Sequence, residues 1–161
     1  MIGIVYYSKN SNTEILAKLL EEKYKGKLIK LEEQTKRRGF FGFIKSGYQA
    51  STGRQSKLIN KPWEDIEDCG ELYLCTPIWA GKTTPAMNKF LANAEFENKD
   101  VIIVTMMADP KLNGASNVHE HMKAIVEEKG GKVSKCIGLN GTSPFEQGEK
   151  NHIKRQFDTC L

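Results

Sequence analysis

Apolar positions along the chain follow two alternating rhythms. Short runs such as Ile2 to Tyr7 and Asp100 to Met106 are apolar almost throughout. Between them, apolar residues recur at three- and four-residue spacing. Continuous runs predict strands buried on both faces, and the spaced stretches predict amphipathic helices. In chain order, the pattern predicts a strand at the N-terminus and a helix starting after Thr13, with Ile15, Leu16, Leu19, Leu20 and Tyr24 on one face. Strands follow at Lys27 to Glu33 and Glu71 to Thr76. A helix from Pro85 aligns Met87, Phe90, Leu91 and Ala94. Next come a strand at Asp100 to Met106 and a helix over about Ala115 to Lys129, which aligns Val118, Met122, Ile125 and Val126. Gly130 and Gly131 are its stop signal. A strand at Lys132 to Leu139 and a last helix over about Gln147 to Thr159 complete the series. Regular alternation of strand and helix implies an α/β fold with a doubly wound, five-stranded parallel sheet between two helical layers. Ligands of such sheets lie beyond the carboxyl ends of the strands, so the loops Ser8–Thr13, Pro77–Thr84 and Met107–Asn113 should converge.

One stretch breaks the alternation. Gln34 to Asn60 is basic at both ends and aromatic in the middle, with Phe40, Phe41, Phe43 and Tyr48. Its length suits either a further helix packing Phe41, Ile44 and Tyr48 onto the sheet or a partner or substrate surface. Aromatics flanked by Lys and Arg would also suit contact with a membrane interface.

Length and composition narrow the class. At 161 residues the chain makes one domain, 1–161, with enough length to bury a core. No apolar run approaches 18 residues, and the N-terminus leads straight into a strand. These features predict a cytoplasmic protein with no signal peptide and no membrane span. The net charge is +4, but Lys and Arg are spread along the chain with no recognition motif, which argues against nucleic acid. Four cysteines (Cys69, Cys75, Cys136, Cys160) show no metal-ligand spacing. Cys75 and Cys136 lie in apolar runs and are expected in the core; Cys160 is expected near the surface.

Two segments carry candidate chemistry. Ser8-Lys9-Asn10-Ser11-Asn12-Thr13 joins a buried strand to a helix. The free N–H groups of a first helical turn, with short hydroxyl and amide side chains beside them, make an anion site. In Pro77-Ile78-Trp79-Ala80-Gly81, Trp79 offers a face for a flat ring, and the small residues after it permit close approach. The plainer reading of Trp79 is a core residue at the sheet edge. Beside the anion turn, a planar ligand bearing a phosphate becomes the better one.

Neighbouring classes fail on specific residues. Gly81-Lys82-Thr83 lacks the earlier Gly of a Walker A loop, since Thr76 stands there, and Pro85 places the helix start later. Tyr7 and Ser8 replace the carboxylates of a phosphoacceptor receiver. The anion turn holds no Cys for a phosphatase, and G-x-G-x-x-G is absent.

Taken together, these segments resemble the flavodoxins and flavodoxin-like quinone reductases over essentially the whole length. The resemblance rests on an aromatic residue before Ser8, the short turn ending in Thr13, Ala17 four residues on, and Pro77-Ile78-Trp79-Ala80-Gly81. It implies the strand order 2-1-3-4-5, which is the known arrangement of flavodoxin itself. It also implies flavin mononucleotide (FMN) as cofactor. Ser8, Asn10, Ser11, Asn12 and Thr13 would hold its phosphate. Thr76, Pro77, Ile78, Trp79, Ala80 and Gly81 would border its ring, together with Thr105, Met106, Met107 and Ala108. No catalytic side chain and no metal are implied.

The chain departs from the family pattern in three ways. Ser11 stands where the family's turn usually has Gly. The loop after the fourth strand has no Tyr to cover the ring, so one face is open or covered by Met107. The net charge is positive, whereas classical carriers are acidic, so an acidic redox partner is expected. The first functional reading is an electron carrier between redox partners. An alternative is an FMN-dependent NAD(P)H:quinone-type oxidoreductase taking a small acceptor at the open face, shaped by Met107, Lys111 and the Phe40–Tyr48 segment. There His119 or His121 could donate a proton, although a lone helical His is more often a surface residue. A third reading is a flavin-free module that binds a partner.

Overall fold

Five parallel strands form the centre of the protein. The structure is a computed structural model that describes residues 1–34, 55–143 and 146–161. The elements are β1 (Ile2–Tyr6), α1 (Asn12–Tyr24), β2 (Lys27–Lys30), β3 (Glu71–Pro77), α2 (Pro85–Asn93), β4 (Asp100–Met107), α3 (Ala115–Glu128), β5 (Lys132–Asn140) and α4 (Lys150–Cys160). The sheet order is β2-β1-β3-β4-β5, all parallel. The expected helical packing of Phe41, Ile44 and Tyr48 lies outside the described residues.

Strand alternation divides the core in two. Val5, Leu72, Leu74, Val101 and Ile103 face Met87, Phe90 and Leu91 of α2 and Val118, Met122 and Val126 of α3. Ile4, Tyr6, Tyr73, Cys75, Val104 and Met106 face Leu16, Leu19 and Leu20 of α1 and Ile153 and Phe157 of α4. Both faces of the central strands are therefore apolar, which is why those segments read as unbroken runs. At the end of α3, Gly130 adopts φ 80°, and a Cβ on Gly131 would meet Phe96 and Val126 at 2.7 Å. The glycine pair thus ends the helix and lets the chain pack tightly against the preceding loop.

Two boundaries and one burial differ from expectation. β2 ends at Lys30, and residues beyond it turn to pair with another segment. Gln34 N–H donates to Lys57 O (3.0 Å) and Ile59 N–H to Glu32 O (2.9 Å). The last helix starts at Lys150, because Gly148 N–H is pinned to Asn10 O at 2.9 Å. Cys136 is exposed: β5 is an edge strand whose outer face the helices cover only in part. Cys75 is buried as expected, and burial pushes its thiol pKa up. Among the described residues, no helix is long and apolar enough to cross a membrane.

Candidate functional site

The loops after β1, β3 and β4 meet at the carboxyl end of the sheet. They form an open cleft lined by Lys9, Asn10, Asn12, Pro77, Ile78, Trp79, Met106, Met107, Ala108 and Thr142. It is open and shallow, with a volume of about 30 Å³. A flat ring would therefore lie in the open groove and not in a preformed slot. A larger cavity of about 470 Å³ lies between α2 and α3, lined by Lys82, Asn88, Asn117 and His121. It does not include the α1 turn, so it lacks the anion-binding half of the expected site.

The α1 turn keeps its shape at an energetic cost. Ser11, the residue before α1, has φ 70° and ψ −17°, a left-handed conformation that favours glycine. Its side chain does not cap the helix, and it instead donates to Gln147 Oε1 at 3.0 Å. The first intrahelical bond runs from Ile15 N–H to Ser11 O (2.8 Å), which leaves the earlier amides of the turn without intrahelical partners. The Ser8 hydroxyl is buried and has no hydrogen-bond partner among the described residues. A buried hydroxyl left unpaired is costly, and the cost is removed when a ligand supplies the missing partner.

The Trp79 turn is tightly closed. Trp79 N–H donates to Lys82 O (3.0 Å) and Lys82 N–H to Trp79 O (2.9 Å). Ala80 and Gly81 both have positive φ, 48° and 69°, as a type I′ turn requires. Trp79 is 8% exposed and meets Tyr7 edge-on, ring centroids 5.5 Å apart. The Lys9 Nζ stands 5.8 Å from the Trp79 ring centroid. Trp79 thus belongs to the core, as its plainer reading has it, and also forms part of the cleft wall.

The β4 loop is held from behind by Asn140. Its side-chain amide donates to the carbonyls of Met107 (3.2 Å) and Ala108 (3.0 Å). Gly141 N–H also donates to Met107 O at 2.8 Å. Gln156 locks Asn140 in place, accepting from its backbone N–H (2.9 Å) and donating to its carbonyl (2.8 Å). The Asn140 Oδ1 lies 3.0 Å from His152 Nε2, which adds a third contact to α4.

Comparison with solved structures agrees with this architecture. A Trp repressor binding protein from Bacillus subtilis superposes with a TM-score of 0.70 at 13% identity, over 98% of this chain and 94% of that one. A flavoprotein from Lactobacillus acidophilus, solved in complex with FMN, gives 0.65 at 14%, over 85% and 91%. A Fusobacterium nucleatum flavodoxin bound to flavin mononucleotide gives 0.52 at 23%, over 82% and 67%. The chain has the flavodoxin-like fold. No protein-family model and no curated protein matches the sequence.

Within this flavodoxin-like frame, the expected site residues divide into two groups. Asn10, Asn12, Pro77, Ile78, Trp79, Met106, Met107 and Ala108 reach the cleft. Ser8, Ser11, Thr13, Thr76, Ala80, Gly81 and Thr105 do not line it: Gly81 faces the cavity between α2 and α3, and the Thr76 and Thr105 hydroxyls are taken up by bonds to Thr84 and His119. Thr76 Oγ1 bonds Thr84 Oγ1 (3.0 Å), and Thr105 Oγ1 bonds His119 Nε2 (2.7 Å). His119 is therefore anchored and half-buried, not a free surface residue; burial lowers its pKa, partly offset by a backbone hydrogen bond with Ile137. Thr84 caps α2, accepting from Met87 N–H, with Pro85 in the first turn as the sequence predicts.

Sequence reasoning missed the loop after β5. Asn12 donates to Thr142 O (3.2 Å) and accepts from Thr142 N–H and Oγ1 (both 3.2 Å). Asn10 donates to the carbonyls of Ser143 (3.0 Å) and Glu146 (3.2 Å). A Cβ on Gly141 or Gly148 would come within 2.9 Å of Asn12. The signal was present as two glycines bracketing a short polar segment before the last helix.

Proposed function

We propose that this protein binds FMN in the cleft and carries electrons between redox partners. The observation that carries the reading is the buried Ser8 hydroxyl, without a partner among the described residues, beside a helix N-terminus with no side-chain cap. The residues present fit the cofactor unevenly. Asn10, Ser11 and Asn12 spend their side chains on the 140s loop, so phosphate falls to Ser8, Thr13 and the first-turn amides. Trp79 and Met107 would flank the ring, with neighbouring backbone groups bonding its edge. Bound FMN would supply the redox chemistry, and the protein orients it and sets its electrostatic surroundings.

The test is FMN titration by flavin fluorescence, comparing the natural protein with the double variant Ser8→Ala, Thr13→Val. Loss of two charge-assisted hydrogen bonds weakens binding at least tenfold, since each contributes on the order of 1–3 kcal/mol. Affinity within a factor of about two would show that the phosphate lies elsewhere. A second reading is an FMN-dependent oxidoreductase that takes NAD(P)H and a quinone-type acceptor. Among the described residues, the loop after β4 presents Met107 and Ala108 and no aromatic, which supports it. Steady NAD(P)H consumption by the pure protein separates it from the carrier. A protein that refuses FMN altogether would favour a flavin-free partner module.

A further inference from the structure

We propose that Asn140 is a positioning residue for the cofactor ring: it draws two carbonyls of the β4 loop back toward β5 and so turns the amides of Ala108 and Asp109 toward the cleft as a paired donor. This rests on the FMN reading above and adds which residue sets that wall and which edge of the ring the wall receives.

The geometry starts where β4 ends. Met106 O accepts from Ile78 N–H at 2.8 Å, on the β3 side. Met107 O points the other way, toward β5, and accepts from Gly141 N–H (2.8 Å) and Asn140 Nδ2 (3.2 Å). In an extended chain the next carbonyl would swing back toward β3. Instead the chain bends at Ala108, and Ala108 O also reaches Asn140 Nδ2, at 3.0 Å. One side-chain amide thus directs its two hydrogens to two successive carbonyls.

A trans peptide is planar, with its N–H opposite its C=O. No cis bond occurs among the described residues. The Ala108 N–H therefore points away from β5, toward the loop after β3, and the Asp109 N–H follows it. Ile78 and Trp79 of that loop line the same cleft. Among the described residues, neither amide donates to a protein acceptor. The Asp109 carboxylate is engaged elsewhere: it accepts from Lys111 N–H (2.9 Å), Asn113 N–H (3.3 Å) and the Asn113 side chain (2.7 Å). Successive N–H groups on one side of a bend form a concave donor pair that suits an electronegative oxygen. The FMN ring carries such oxygens as carbonyls on one edge.

Asn140 can impose this arrangement because it is itself held. Gln156 accepts from its backbone N–H (2.9 Å) and donates to its carbonyl (2.8 Å), and His152 Nε2 lies 3.0 Å from its Oδ1. The donor pair is thus fixed from α4 through β5, although no described residue of α4 lines the cleft.

Amide exchange at Ala108 and Asp109, followed by NMR on the labelled full-length protein with and without saturating FMN, tests the proposal. In the natural protein, FMN slows exchange at both amides at least about tenfold. In Asn140→Ala, FMN affinity falls about fivefold or more, and the slowing at saturation drops below about threefold. Gln156→Met keeps Asn140 but frees it from α4; it gives the same changes at smaller size and decides the question where Asn140→Ala does not fold. Undiminished slowing in the folded variant would overturn the proposal and leave Asn140 a purely structural residue. Amides of the natural protein that bound FMN does not slow would overturn it too, with FMN binding intact. A natural protein that does not bind FMN would overturn the parent reading as well.

Discussion

Two serines in the α1 turn make opposite predictions. Ser11 holds φ 70°, where a side chain clashes with the backbone by roughly 1–2 kcal/mol. Ser11→Gly relieves that strain and loses only a surface bond to Gln147, so the urea midpoint stays level or rises. Ser11→Val adds a β-branched side chain at the same φ, and stability falls by about 1–2 kcal/mol. A Ser11→Val protein as stable as the natural one would mean that the turn is not left-handed. Ser8 differs because its hydroxyl is buried without a partner among the described residues. Ser8→Ala removes an unsatisfied group, so the protein without ligand is unchanged or gains up to about 1 kcal/mol while FMN affinity falls. Stability and affinity moving in opposite directions would identify Ser8 as a ligand group and exclude a purely structural role.

The β4 loop and α3 carry predictions that no single residue explains alone. Asn140 ties β5 to two carbonyls of the β4 loop, and Gln156 and His152 of α4 fix its orientation. Asn140→Ala breaks that link, lowers stability by about 1–2 kcal/mol and speeds amide exchange at Gly141, whose acceptor Met107 O lies in the same cluster. Unchanged exchange there would show that the loop is held by something else. In α3, burial lowers the His119 pKa. The unfolded chain then binds the proton more readily than the folded one. Stability is fully present above the unfolded pKa of about 6.5 and is lost as pH falls below it. Urea midpoints at about pH 7.5 and pH 5.5 should differ more for the natural protein than for His119→Gln. The same elements show what sequence could reveal. β3 and β4 were legible because both their faces are covered, which leaves an unbroken apolar run. The convergence of the α1 turn and Trp79 was legible because both follow strands of one parallel sheet, whose carboxyl ends lie side by side. The Asn140 and Thr142 contacts were not: Thr142 pairs with Asn12, 130 positions away, and Asn140 reaches Met107 and Ala108 across a whole helix, and polar pairing of that kind leaves no periodicity.

At the scale of the whole molecule, charge acts on encounters more than on the fold. The described ion pairs are exposed and mostly local, such as Lys18–Glu14 at 2.8 Å and Lys154–Asp158 at 2.9 Å, each one helical turn apart. Such pairs contribute little, because water screens them and ordering two long side chains offsets the attraction. The fold instead rests on two apolar layers that salt does not weaken. A net charge of +4 nevertheless creates a long-range field that draws negatively charged partners toward the protein. Raising ionic strength from about 0.01 M to about 0.15 M shortens the screening length from about 30 Å to about 8 Å. Across that range the Tm should stay within about 3 °C, as expected when exposed pairs add little to stability. On the proposed carrier reading, the bimolecular rate of electron exchange with an acidic protein partner should fall about tenfold or more, because steering is lost. Stopped-flow mixing of the reduced protein with one acidic and one basic acceptor protein measures both signs at once. If the basic acceptor reacted faster at low salt, the contact face would have to be a locally acidic patch and not the mean positive surface, and the search for a partner would move to basic proteins.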